Sequence, residues 1–315
     1  MAASRPRESR RLTVVTPFHS LFYAPHFVAV RLGCFADEGL EVATRTAGGG
    51  VTPTGALLDG TVEVALGGVM RSLDLADRGG PFLVHFAEVN SRNGFFLLSR
   101  EPRPDFAWSD LIGRTVISFA EAPTPWQCLL TVLREHGVDP LRVRIERTLP
   151  VREAIAAFRA GHGDFLETGQ PATEALLAER AAHLVASMGT ATGPVPFSSY
   201  MTTTRRLVDE REVLGGFTRA LYRAQRWLAR AGAAEVADLV APAFADVAPE
   251  MRHRALARYL AQDTWARDPI LRQPGYERLQ QILLDGGFIK RRHRYEDLVD
   301  VSIARLVVET PGAEA

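Results

Sequence analysis

Two glycine clusters, Gly48-Gly49-Gly50 and Gly67-Gly68, constrain this chain more than any other feature. Each stands between an extended segment and a helix start. Residues 24–32 read as an apolar helical segment stopped by Gly33, and residues 40–46 alternate apolar and polar side chains as a half-buried strand does. After the first cluster, Thr52 is a natural N-cap with Pro53 in the first helical position, and Gly60 closes that helix. Residues 62–66 are a short buried strand ending at Gly67. This repeated order predicts an open α/β sheet. In such a sheet a ligand is received outside the strand ends, where the glycines fall.

The charge balance sets the class of partner. The 315 residues carry 37 basic and 37 acidic side chains, so neither nucleic acid nor an anionic membrane is the expected partner. Lys290 is the one lysine, which leaves a single candidate for Schiff-base chemistry, far from the glycine loops. Cys34 and Cys128 lack metal-type spacing and read as small buried apolar residues, and no cofactor or metal is expected. The basic N-terminus runs into Pro17 with no room for an apolar core of ~7–15 residues, so no signal peptide is expected and the chain reads as cytoplasmic. No apolar run approaches ~18 residues, so no membrane-spanning helix is expected.

The pattern then repeats. Proline and polar residues after Arg100 mark a change of character, and a crossing between lobes is placed near residue 99. Strand 115–119, loop 120–125 and helix 126–136 answer the first lobe, followed by strand 142–148, helix 152–160, strand 163–167, helix 171–180 and strand 184–187. Extended chain over 196–203 crosses back at 198–202. Helices follow at 211–231, 233–240, 249–262, 275–286 and 295–308, with a loose tail. The expected architecture is α/β, with lobe I from 1–99 plus 201–315, lobe II from 100–200, a ligand cleft between them and additional C-terminal helices.

Residues 25–42, with Gly33, Phe35, Glu38-Gly39-Leu40 and Val42, resemble the opening of the type II periplasmic binding-protein fold. The branch in question holds the aliphatic-sulfonate, nitrate and taurine binders and the pyrimidine-precursor binders and synthases of thiamine metabolism. The resemblance continues through Gly48-Gly49-Gly50 and through residues 56–65, where Glu63 stands in place of the family's usual aspartate. Residues 111–116, residues 154–164 and the return at Tyr200-Met201-Thr202-Thr203-Thr204 extend it over most of the chain. It implies two lobes closing on a small molecule, as the binding component of an ABC importer with a permease as partner, or as a soluble relative. A cytoplasmic, cofactor-free enzyme of decarboxylase or dehydratase type and a non-exported sensor are the alternatives. The thiamine-pyrimidine synthases need an N-lobe lysine and a cysteine-rich motif that this sequence lacks.

Strand ends and helix starts supply the candidate ligand residues. In the first lobe these are Gly48, Gly49 and Gly50, whose backbone approaches a ligand closely, then Gly68, Val69 and Arg71, an arginine suited to an anion or else one more solvated cation. His19 lies in an aromatic loop as a ring partner or a loop cap, while His26 reads as structural. Glu88 and Asn90 end the fourth strand. In the second lobe Glu121, Thr124 and Trp126 lie at a strand-to-helix junction, and Glu167 and Gln170 at the next. Tyr200 is on the return crossing. Three acids in one cleft, Glu88, Glu121 and Glu167, disfavour a plain anion and point to an aromatic or heterocyclic ligand.

Overall fold

The structure, a computed structural model, describes residues 9–310, so the N-terminal segment and the end of the tail lie outside it. The local signals are where the sequence puts them. Gly33 adopts φ +74° after the first helix, and Thr52 Oγ1 accepts the Gly55 amide at 3.0 Å as an N-cap. The first lobe opens with β1 (Arg10–Thr16), α1 (Ala24–Arg31), α2 (Cys34–Asp37), β2 (Leu40–Thr46), α3 (Pro53–Leu58), β3 (Val64–Gly67), α4 (Met70–Asp77) and β4 (Leu83–Asn90). The second holds β5 (Phe96–Ser99), β6 (Thr115–Ile117), α5 (Thr124–Glu135), β7 (Arg144–Glu146), α6 (Val151–Arg159), β8 (Phe165–Thr168), α7 (Ala172–Ala178), β9 (His183–Ser187) and α8 (Met188–Thr192). The chain then returns through β10 (Ser198–Thr203) to α9 (Thr204–Asp209), α10 (Arg211–Leu228), α11 (Ala233–Val240), α12 (Pro249–Ala261), α13 (Gln273–Asp285), α14 (Tyr295–Leu298) and α15 (Ser302–Glu309).

The two sheets are built alike, in the orders β2-β1-β3-β10-β4 and β7-β6-β8-β5-β9. In each, four strands run parallel and the fifth, second from one edge, is inserted antiparallel. The inserted strand, β5 or β10, is the one that has just arrived from the other lobe. This corrects the crossing expected near residue 99. The chain leaves the first sheet after Asn90 and enters the second at Phe96, so 91–95 is the crossing. Residues 198–202 likewise lie inside the first sheet, and the return crossing precedes them. A short, fully buried strand such as β5 carries no local mark of the sheet that will take it.

Period-2 side-chain alternation gives each sheet two buried faces. In β1, Leu12 and Val14 join the large core that contains Phe217 and Leu221 of α10, while Val15 faces Ala56 and Leu57 of α3. In the second lobe Leu97 and Val116 meet Leu129, Val132 and Leu133 of α5, and Leu98 and Ile117 meet Phe158 and Leu176. The repeated acid at the start of β3 and β8 has a matching role in both lobes. Glu63 Oε2 accepts the Thr13 amide at 2.7 Å, and Asp164 Oδ2 accepts the Thr115 amide at 2.8 Å. Each carboxylate tethers the neighbouring parallel strand at the edge away from the cleft, so glutamate serves where aspartate is usual.

The helix expected over 295–308 is two helices. Between them Val299 pairs with His85 of β4, and the Asp300 amide donates to the His85 carbonyl at 3.0 Å. The Val299 amide makes the last bond of the first helix, to the Tyr295 carbonyl at 2.9 Å, and the Asp300 amide, drawn to the sheet, cannot continue it.

Candidate functional site

The carboxyl ends of the parallel strands in both lobes converge on a cavity of about 500 Å³ between the lobes. Thr52 and Thr54 at the start of α3, Met70, Arg71, Asp74 and Leu75 of α4, and Arg78 at the C-cap of α4 line one wall. Residues 120–123, Trp126 of α5 and Arg147 at the end of β7 line the other, and Phe288 after α13 completes it. Two helices, α4 and α5, therefore bring their amino ends to the cavity from opposite lobes, and the first amides of a helix have no partner within it. Beside the cavity, Phe18 after β1 meets Phe119 after β6 edge to face, with ring centroids 5.9 Å apart, so aromatic side chains touch across the lobes.

The charges on these walls are unequally matched. Asp74 pairs with Arg78 Nε at 2.9 Å, and Glu121 Oε1 accepts the Val151 amide at 3.2 Å. The Arg71 amide donates to the Gly68 carbonyl at 3.0 Å, and the Arg71 guanidinium makes no ion pair or hydrogen bond among the described residues. Its burial lowers its pKa, opposed by the nearby Tyr23 hydroxyl. Arg147 lies over the Trp126 ring, 3.7 Å from the centroid, and has no acid partner among the described residues. The Trp126 indole N–H is buried without an acceptor. The cavity thus offers two cations and an aromatic side chain, while its acids are already engaged.

Of the residues singled out from the sequence, Arg71, Glu121 and Trp126 line this cavity. Gly48, Gly49 and Gly50 are exposed and shape the loop that leads to Thr52, with Gly49 and Gly50 at positive φ. Gly68 and Val69 lead from β3 into α4, and Thr124 is buried in the first turn of α5. The rest are occupied elsewhere. His19 bonds the Ala243 carbonyl at 2.7 Å and stacks on Phe244. Asn90 donates to the Phe22 carbonyl at 2.8 Å. Gln170 is held by Glu174 of α7, and its amide donates to Tyr259 Oη at 3.3 Å. Tyr200 is fully buried and bonds His26 Nδ1 at 2.6 Å, not the cleft. The same imidazole meets Thr44 Oγ1, and burial lowers its pKa to about 4, so it stays neutral.

The acids do not gather in the cleft. Glu88 is buried on the side of Asp268 and Arg272, its pKa raised by burial to about 8. Glu167 is buried against the Ser118 hydroxyl, and burial raises it to about 7 against the opposing pull of Ser118 and the Phe119 amide. The premise of three cleft carboxylates is therefore not met, and an anionic group is not disfavoured. Sequence reasoning passed over Arg147, although the strand-end rule that found Arg71 applies equally to the end of β7. It also passed over Phe288, for which no local signal exists.

Residues 22–231 match the sequence model of the family described as NMT1/THI5 like. A curated relative from Bacillus subtilis (strain 168), "Putative binding protein YtlA", is 29% identical over 310 residues, covering 98% of this chain and 93% of the relative. The periplasmic aliphatic sulphonate binding protein SsuA from Escherichia coli superimposes with a TM-score of 0.73 at 16% identity, over 90% of this chain and 94% of that chain. The desulfurization enzyme DSZB superimposes with a TM-score of 0.68 at 17% identity, over 95% of this chain and 99% of that chain. The two-lobe fold expected from the sequence is the fold of these proteins, and it serves a binder and an enzyme alike.

Proposed function

Because the chain belongs to the NMT1/THI5-like family, we propose that it binds a small organic molecule between its lobes, as the binding component of an importer with an ABC permease as partner, or as a soluble relative of one. The ligand is a planar, aromatic or heterocyclic molecule bearing one anionic group. One observation carries this reading: Arg71 and Arg147 face one cavity from opposite lobes without acid partners, beside the ring of Trp126. Arg71 and the amino end of α4 receive the anion. Trp126 receives the ring, after Arg147 swings from its face to the ligand's charge. The sulphonate named for the Escherichia coli protein and the binding role named for YtlA agree with this chemistry.

Thermal unfolding with benzenesulfonate, benzoate and their neutral amides tests it. A ligand at about 100 times its Kd stabilises by about 2.7 kcal/mol. Stabilisation by the acids and not the amides is the expected result. Stabilisation by the amides alone, or by none of the four, counts against it.

A further inference from the structure

Residues 286–293 run from a contact with the second lobe to a contact with the first, and Phe288 among them lines the cavity. Helix α13 packs against both α4 and α5, and the segment that leaves it is fixed at both ends. At the second-lobe end, Gln127 of α5 donates to the Gly286 carbonyl at 3.3 Å. The approach is so close that a Cβ on Gly286 would stand 1.2 Å from Gln127 Oε1, so any larger residue there displaces the end of the Gln127 side chain. Gly287 then turns the chain at φ +71°. At the first-lobe end, the Asp77 carboxylate closes α4 and accepts the Lys290 amide at 3.0 Å and the Arg291 amide at 3.3 Å, with His293 Nε2 also at 3.3 Å. The Arg291 guanidinium adds a bond to the Ala76 carbonyl at 3.2 Å. Between the two anchors Phe288 lines the cavity.

We propose that residues 286–293 are a strap that closes the interlobe cavity, anchored to α5 at Gly286 and to α4 at Asp77, with Phe288 as the wall the ligand meets. The contact between Phe288 and ligand rests on the cavity being the binding site; the closure does not. The strap ties together the two helices whose amino ends face the cavity, so lobe separation strains its anchors. Releasing either anchor exposes Trp126, the aromatic surface on the wall opposite α4.

The test needs no ligand. The protein is labelled with 5-fluorotryptophan, and the Trp126→Phe variant assigns one resonance of the four tryptophans. Broadening by a neutral soluble nitroxide then reports access to Trp126. Hydrogen exchange is followed at the Phe288 and Ile289 amides, which bond the Leu283 carbonyl and not Asp77. Gly286→Ala wedges one anchor and Asp77→Asn weakens the other; whichever variant keeps the buried Trp265 resonance unchanged is used. Expected are about tenfold faster exchange at Phe288 and Ile289 together with greater broadening of Trp126 than in the parent. Unchanged exchange, or faster exchange with Trp126 as protected as before, overturns the strap. Failure of the ligand panel leaves this result intact, because neither measurement involves a ligand.

Discussion

The Arg147 guanidinium lies 3.7 Å from the centroid of the Trp126 ring, on the second-lobe wall of a cavity that Arg71 faces from the first. An arginine stacked on an aromatic ring keeps its charge available at its edge. Arg147→Ala removes that charge and uncovers the ring. Benzenesulfonate is expected to bind roughly tenfold more weakly to this variant, the loss of one charge-assisted contact. Benzenesulfonamide, which carries no charge for either arginine, is expected to show no saturable binding to parent or variant. Isothermal titration of both probes checks the contrast.

Glu88 gives the fold a pH dependence of known sign. Burial raises its carboxyl to about 8 from the ordinary 4.5, with Arg272 opposing and Asp268 adding to the rise. The folded chain holds this proton where the unfolded chain releases it. Its contribution is complete below the unfolded value and is lost as pH climbs from 4.5 to about 8. Glu88→Gln stays neutral throughout and is expected to flatten the slope across that window by up to about 1.4 kcal/mol per pH unit. Glu167, raised to about 7, leaves a residual slope of the same sign. Urea unfolding at a series of pH values measures it, and equal slopes in parent and variant would contradict it.

Arg258 of α12 and Glu174 of α7 join the C-terminal helices to the second lobe. The glutamate side chain is 5% exposed and the arginine 30%. Arg258→Ala leaves a buried carboxylate with Gln170 as its remaining partner among the described residues. Breaking a buried pair from one side is costly, and partial exposure of the arginine reduces the cost, so a loss of about 2–4 kcal/mol is expected by urea denaturation. Glu174→Gln added to Arg258→Ala is expected to recover part of it, because the unpaired charge is gone.

Much of the fold was legible because its signals are local. Gly33 and Gly60 terminate helices, Thr52 caps one, and the alternation of residues 40–46 marks a strand that ends where the pattern ends. The likeness of the two lobes showed in repeated helix-glycine-acid steps, because each acid tethers a neighbouring strand in the same way. What was not legible depends on partners distant in sequence. β5 is fully buried and gives no sign of which sheet it joins. Glu88 and Glu167 stand near strand ends like true cleft residues, yet burial turns them inward. Tyr200 was placed at a crossing, but its hydroxyl is taken by His26, 174 positions earlier. Phe288 reaches the cavity because Gly286 and Asp77 hold the chain on either side of it, an arrangement that only tertiary packing reveals.

The central claim is that Arg71 anchors an anion in the interlobe cavity, and calorimetric titration of the parent and Arg71→Ala with benzenesulfonate tests it most directly. The expected result is saturable binding to the parent and a loss of roughly 10- to 100-fold in the variant, the range for a hydrogen-bonded charge. Unaltered affinity in Arg71→Ala, with the variant as stable as the parent, would contradict it.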